Sequence, residues 1–161
     1  EELVLDYFPG ENSLILRPCI IVGAHDESKR FDRWILSIMN NKTLDVPDDF
    51  EAKIQFVDVR ALSDFALAAL ENNLRGTYNL IGPAKPITLI NFIKLAKSIL
   101  NPELELNFID PKSAEFPMYI QDPNWKGLFE TDGSKAYNSG FCDIQIKDTV
   151  RYVADFLTST K

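Results

Sequence analysis

The feature that most limits what this chain can fold into is a proline inside an otherwise ideal buried strand. Residues 14–22 form a nearly continuous apolar run, the pattern of a strand covered on both faces of a parallel sheet, and Gly23 closes it. Pro18 stands in the middle of that run. Proline has no N–H to give to a ladder, so the ladder should stop near Arg17. Ligands bind open parallel sheets in the crevice beyond the C-terminal strand ends, which would put Arg17, Pro18, Cys19 and Ile20 at the lip of a site. A bulge or an edge strand explains the same proline without a ligand, and both readings stay open.

The rest of the pattern alternates helix and strand. Leu3, Val4, Tyr7 and Phe8 have helical spacing with no cap ahead of them, as though a helix began in its middle, and Pro9 and Gly10 are expected to end it. Phe31, Trp34, Ile35, Ile38 and Met39 predict a second helix, with an exit turn at 40–42. A loop rich in acid and proline leads to a short strand over 54–59. Ala61, Leu62, Phe65, Ala66, Ala69 and Leu70 predict an amphipathic helix terminated by Gly76, followed by a strand over 77–81. Thr88 can cap a helix whose inner face carries Leu89, Phe92, Ile93 and Ala96 and which Asn101-Pro102 stops. Residues 104–109 alternate like a half-buried strand, 111–132 show no period, and Ile146, Val150, Val153, Ala154 and Leu157 predict a final helix. Such alternation defines an α/β class.

Composition excludes several partners. With 17 Lys plus Arg against 24 Asp plus Glu, the chain carries a formal charge of -7 and lacks the positive field that draws nucleic acid or anionic lipid. No apolar run approaches the ~18 residues of a membrane span and no signal segment opens the chain, so a cytoplasmic location is expected. Cys19 and Cys142 do not make a disulfide framework. His25 is the single histidine, which leaves no zinc set, and no metal is expected. No Gly-x-Ser-x-Gly elbow presents a hydrolase serine.

Several motifs carry a resemblance. Leu16-Arg17-Pro18-Cys19-Ile20-Ile21-Val22-Gly23 resembles the Arg-Pro-x-x-x-x-Gly strand of extended short-chain dehydrogenases, the NAD-dependent epimerase/dehydratase family. Gln55-Phe56-Val57-Asp58-Val59-Arg60 is similar to that family's Phe-Val-His-Val-x-Asp-Val segment, and Gly76-Thr77-Tyr78-Asn79-Leu80-Ile81-Gly82 to its Gly-x-Tyr-Asn-x-x-Gly strand. The stretch from Asp132-Gly133-Ser134-Lys135-Ala136 through Gly140 resembles its Asp-x-Ser-Lys-Ala-x-x-x-Gly ending, so the likeness extends over nearly the whole chain.

The resemblance implies an α/β fold made of the C-terminal part of a Rossmann-like parallel sheet domain plus a small mixed α/β substrate-binding domain. Residues 1–23 would be a remnant of the dinucleotide-binding domain, with 60–82 returning to it, and 24–59 and 83–161 would cap the substrate. Pro18, Cys19 and Ile20 would approach the nicotinamide of NAD or NADP. Two departures bear on activity. No glycine pair has the spacing of a pyrophosphate loop, and no tyrosine has a lysine four residues later, so the family's Tyr-x-x-x-Lys pair is absent and no catalytic residue is expected in this chain. In the family that pair lies just ahead of where this sequence starts, which points to truncation. Ala61 stands where relatives carry Asp, so the local cap must differ.

Substrate contacts are expected from His25, Arg30, Trp34 and Arg60, with an arginine gripping a carboxylate or phosphate. Plainer alternatives remain: core packing for Trp34, a solvated charge for Arg30 and a strand-end charge for Arg60. The expected function is the substrate-binding portion of an NAD(P)-dependent epimerase, dehydratase or reductase, silent and weakly cofactor-binding when alone, with its own N-terminal half and a small-molecule substrate as partners. The alternative is a non-catalytic short-chain-dehydrogenase-like binding or regulatory protein. Uncovered strand edges and apolar faces would favour self-association of the isolated chain.

Overall fold

Pro18 ends a strand, as its missing N–H requires. The computed structural model describes residues 1–8, 12–113, 118–119 and 122–159. In chain order its elements are α1 (Glu2–Tyr7), β1 (Leu14–Pro18), β2 (Ile20–Val22), α2 (Arg30–Asn40), β3 (Thr43–Pro47), β4 (Lys53–Ile54), β5 (Phe56–Asp58), α3 (Val59–Glu71) and β6 (Gly76–Leu80). They continue with β7 (Ile87–Thr88), α4 (Leu89–Leu100), β8 (Glu105–Ile109), 3-10 turns at Pro111–Ser113 and Pro123–Phe129, α5 (Ser134–Asn138) and α6 (Ile146–Ser159). The expected end of α1 at Pro9 and Gly10 lies outside the described residues.

The strands pair two by two. β1 runs parallel to β6, β2 to β5 and β3 to β8, while β4 and β7 are antiparallel. The apolar run at 14–22 is therefore not one strand. Pro18 faces Leu80 at the end of the β1/β6 register, Cys19 N–H still reaches the Leu80 carbonyl at 3.2 Å, and the chain then moves to a different neighbour, Phe56. A hydrogen bond of 2.8 Å from Phe56 N–H to the Gly82 carbonyl links the two pairs.

Two apolar cores follow this division. The larger gathers α2, α4 and α6 around Phe31, Phe56 and Phe92, whose rings lie 5.3, 5.6 and 5.8 Å apart in tilted or edge contacts. The smaller packs α3 (Ala61, Phe65, Ala69) and Ala136 of α5 against Tyr78 and Leu80 of β6. Helix starts are capped where the chain offers an oxygen: Thr88 Oγ1 accepts from Asn91 N–H, and Asp58 accepts from Arg60 N–H. Asp58 thus supplies the cap that Ala61 cannot, and Ala61 is buried instead.

Several local expectations are corrected. Residues 43–47, read as part of a loop, form β3, because pairing with β8 in register along its whole length overrides the poor strand propensity of Asp45 and Pro47. The strand expected over 54–59 is two short strands broken at Gln55, and Val59 already belongs to α3. Helix α3 ends at Glu71 with Asn73 in the left-handed region (φ 52°), whereas Gly76 (φ 93°) opens β6. β1 has no fully buried residue. No helix among the described residues is long and apolar enough to cross a membrane.

Candidate functional site

The C-terminal ends of β1 and β6 open onto a cleft of about 620 Å³. Its floor is the chain break itself: Arg17, Pro18, Cys19, Ile20 and Ile21, with Asn79 and Ile81 from the neighbouring strand. Because β1 and β6 are parallel, Arg17 and Asn79 are register partners, and both reach the same end of the sheet. Leu128, Phe129 and Thr131, and Asp26 and Arg30, complete the lining.

Charge within the cleft is unevenly committed. Arg17 is held by the Glu1 carboxylate through Nε and a terminal nitrogen, at an exposed position. Asp26 is spent on its own loop, accepting from Ser28 N–H at 2.9 Å and Ser28 Oγ at 2.8 Å. Arg30 donates from Nε to Ser28 Oγ at 3.1 Å. Cys19 is only partly exposed, and burial pushes its thiol up to about 11, so it is a neutral, apolar lining group near neutral pH.

The expected site residues separate cleanly. Pro18, Cys19, Ile20 and Arg30 line the cleft. Trp34 does not: it is 2 % exposed, on the inner face of α2, and meets Phe92 edge to face at 6.4 Å. Arg60 is turned toward Asp58, which it pairs at 2.7 Å, and lies over the Tyr152 ring at 3.9 Å. His25, in the left-handed region at φ 64°, packs on Phe156 with ring centroids 4.5 Å apart. These contacts are packing for Trp34, an ion pair for Arg60 and a ring contact for His25. Sequence reading missed Asn79, Thr131, Leu128 and Phe129 as cleft residues. Asn79 had a signal, its place in the Tyr-Asn motif, but the others lie in the stretch without period. Among the described residues no group of three or more His, Cys, Asp or Glu is placed to hold a metal ion.

The fold is that of NAD-dependent epimerase and dehydratase structures, so the resemblance read from the motifs holds at the level of architecture. UDP-glucuronic acid 4-epimerase from Bacillus cereus in complex with NAD matches with a TM-score of 0.65 at 20% identity, over 91% of this chain and 45% of that one. RMD from Pseudomonas aeruginosa complexed with NADPH gives 0.62 at 18%, over 89% and 47%. UDP-N-acetylglucosamine 4-epimerase from Methanobrevibacter ruminantium, in complex with UDP-N-acetylmuramic acid, gives 0.63 at 16%, over 99% and 51%. The chain spans about half the length of the structures it matches. Neither protein-family models nor curated proteins give a match.

Proposed function

We propose that this chain is the substrate-side, C-terminal portion of an NAD(P)-dependent epimerase, dehydratase or reductase. Residues 1–23 and 60–82 belong to its nucleotide-binding sheet, and 24–59 and 83–161 cap the substrate. The observation that carries the reading is the cleft at the β1 break, which lies where open parallel sheets hold ligands, at the C-terminal strand ends. Solved structures of the same fold hold NAD, NADPH or a UDP-sugar, which supports a nicotinamide cofactor and a small anionic substrate here.

In this reading Pro18, Cys19 and Ile20 form the apolar surface against which the nicotinamide rests, and Arg30 grips a phosphate or carboxylate of the substrate. The neutral Cys19 thiol keeps charge away from the ring. Proton transfer belongs to the Tyr-x-x-x-Lys pair of the whole protein, which this sequence does not contain. The whole protein would work in the cytoplasm, without metal or nucleic acid.

Chemical-shift mapping tests the assignment. NADH, expected to bind weakly, should perturb the Cys19 and Ile20 amides, and UDP-glucuronic acid should perturb Arg30 and Thr131. Tight dinucleotide binding by this chain alone, or shifts confined to a region away from the β1 break, would reject it.

A further inference from the structure

We infer that Gln55 is the positioning residue of the cleft: its side-chain amide holds the wall segment 129–131 in place of a strand ladder. Gln55 sits in the gap between β4 and β5 and is 3 % exposed. Its Nε2 donates to the Thr131 carbonyl at 3.1 Å and its Oε1 accepts the Thr131 N–H at 3.1 Å, across 76 positions of sequence. Both polar atoms of one side chain are thus committed to both backbone groups of one residue, as a neighbouring strand would be.

Beside the buried Phe129 ring, the polar ties of the segment are few. Glu130 N–H bonds locally, to the Gly127 carbonyl at 3.2 Å, where the 3-10 turn ends. The other long-range ties are side chains too: Lys53 pairs with Glu130 at 3.1 Å in a solvated position, and Asn79 Nδ2 donates to the Asp132 carbonyl at 3.0 Å. Phe129 and Thr131 both line the cleft, and Thr131 also lines a second hollow of about 480 Å³ together with Gln55 itself. Gln55 therefore stands behind the wall, touching no part of the main cleft, and sets the position of the residues that do. The inference rests on the proposed reading of that cleft as a substrate site.

Gln55→Met keeps the side-chain length and removes both hydrogen bonds. Measured by NMR, Thr131 amide exchange should accelerate about tenfold while α4 amides keep their rates, and the dissociation constant for UDP-glucuronic acid should rise by a similar factor. A merely structural role would accelerate exchange throughout β4, β5 and α3. Unchanged Thr131 exchange, or faster exchange with unchanged affinity, overturns the inference. If the wild-type chain ignores UDP-glucuronic acid, the substrate reading falls, while the exchange arm still reports whether Gln55 holds the wall. Should the Met variant fail to fold, Gln55→Leu, which also removes both hydrogen bonds, carries the same two measurements.

Discussion

Asp58 and Thr149, 91 positions apart, share a buried hydrogen bond of 2.8 Å. Asp58 caps α3 and pairs Arg60, while Thr149 lies in α6, so this contact joins the helix on the sheet-side core to the last helix of the larger core. Thr149→Val should cost about 1–2 kcal/mol and Asp58→Ala about 2–4 kcal/mol, because the latter strands a cap and an arginine as well. Urea unfolding monitored by circular dichroism measures both.

The same carboxylate sets a pH response. Burial pushes Asp58 up, but hydrogen bonds from Arg60 and Thr149 outweigh it and hold the carboxyl below the ordinary aspartate range. A depressed folded-state value means that the unfolded chain binds the proton more tightly, so this contribution is complete above about pH 5 and is lost as pH falls through the folded value. Thermal melts of wild type and Thr149→Val should differ least at the acid end.

Asp32 should behave with the opposite sign. It is buried in the first turn of α2 with Oδ1 unpartnered, and burial, then the charge of Asp26, raises its pKa. Its ionisation is destabilising, and the penalty grows as pH rises through and beyond the usual carboxylate range. Asp32→Asn is expected to stabilise the chain by about 1 kcal/mol at pH 7 and by less at pH 4; denaturation at the two pH values decides it.

The two thiols should differ in reactivity. Cys142 is exposed, whereas Cys19, held near 11, is about one-thousandth thiolate at pH 8. Iodoacetamide should alkylate Cys142 far faster, as read by peptide mass spectrometry, and a ligand in the cleft should slow Cys19 further.

Gly82 admits no side chain. A Cβ there would lie 2.7 Å from the Phe56 carbonyl oxygen, the group next to the bond that links the β1/β6 and β2/β5 pairs, while a Cβ at Gly127 meets nothing within 4 Å. Gly82→Ala should cost about 1–3 kcal/mol and Gly127→Ala almost nothing, measured by urea titration.

Much of this architecture is written locally. The halt at Pro18, the caps at Thr88 and Asn101, and the inner faces of α2, α4 and α6 follow from a missing donor, a hydroxyl in the right place and a period of 3.6, each decided within a few residues. Arg17 and Pro18, singled out by the missing donor, line the cleft. The strand character of 43–47 was not local, since Asp45 and Pro47 earn their place only through register with β8.

The fates of individual side chains were decided by tertiary structure alone. Arg30 and Arg60 both precede or begin helices and look alike in sequence, yet one lines the cleft and the other is drawn to Asp58 and the ring of Tyr152. Gln55 carries no signal at all, because its partner lies in an aperiodic stretch 76 residues further on. Sequence alone determined the halt at Pro18, the caps at Thr88 and Asn101 and the apolar faces of the helices, since those rules act between neighbours. Only the folded chain decided the long-range polar pairings, because Gln55 meets Thr131 and Asp58 meets Thr149 across 76 and 91 positions of sequence.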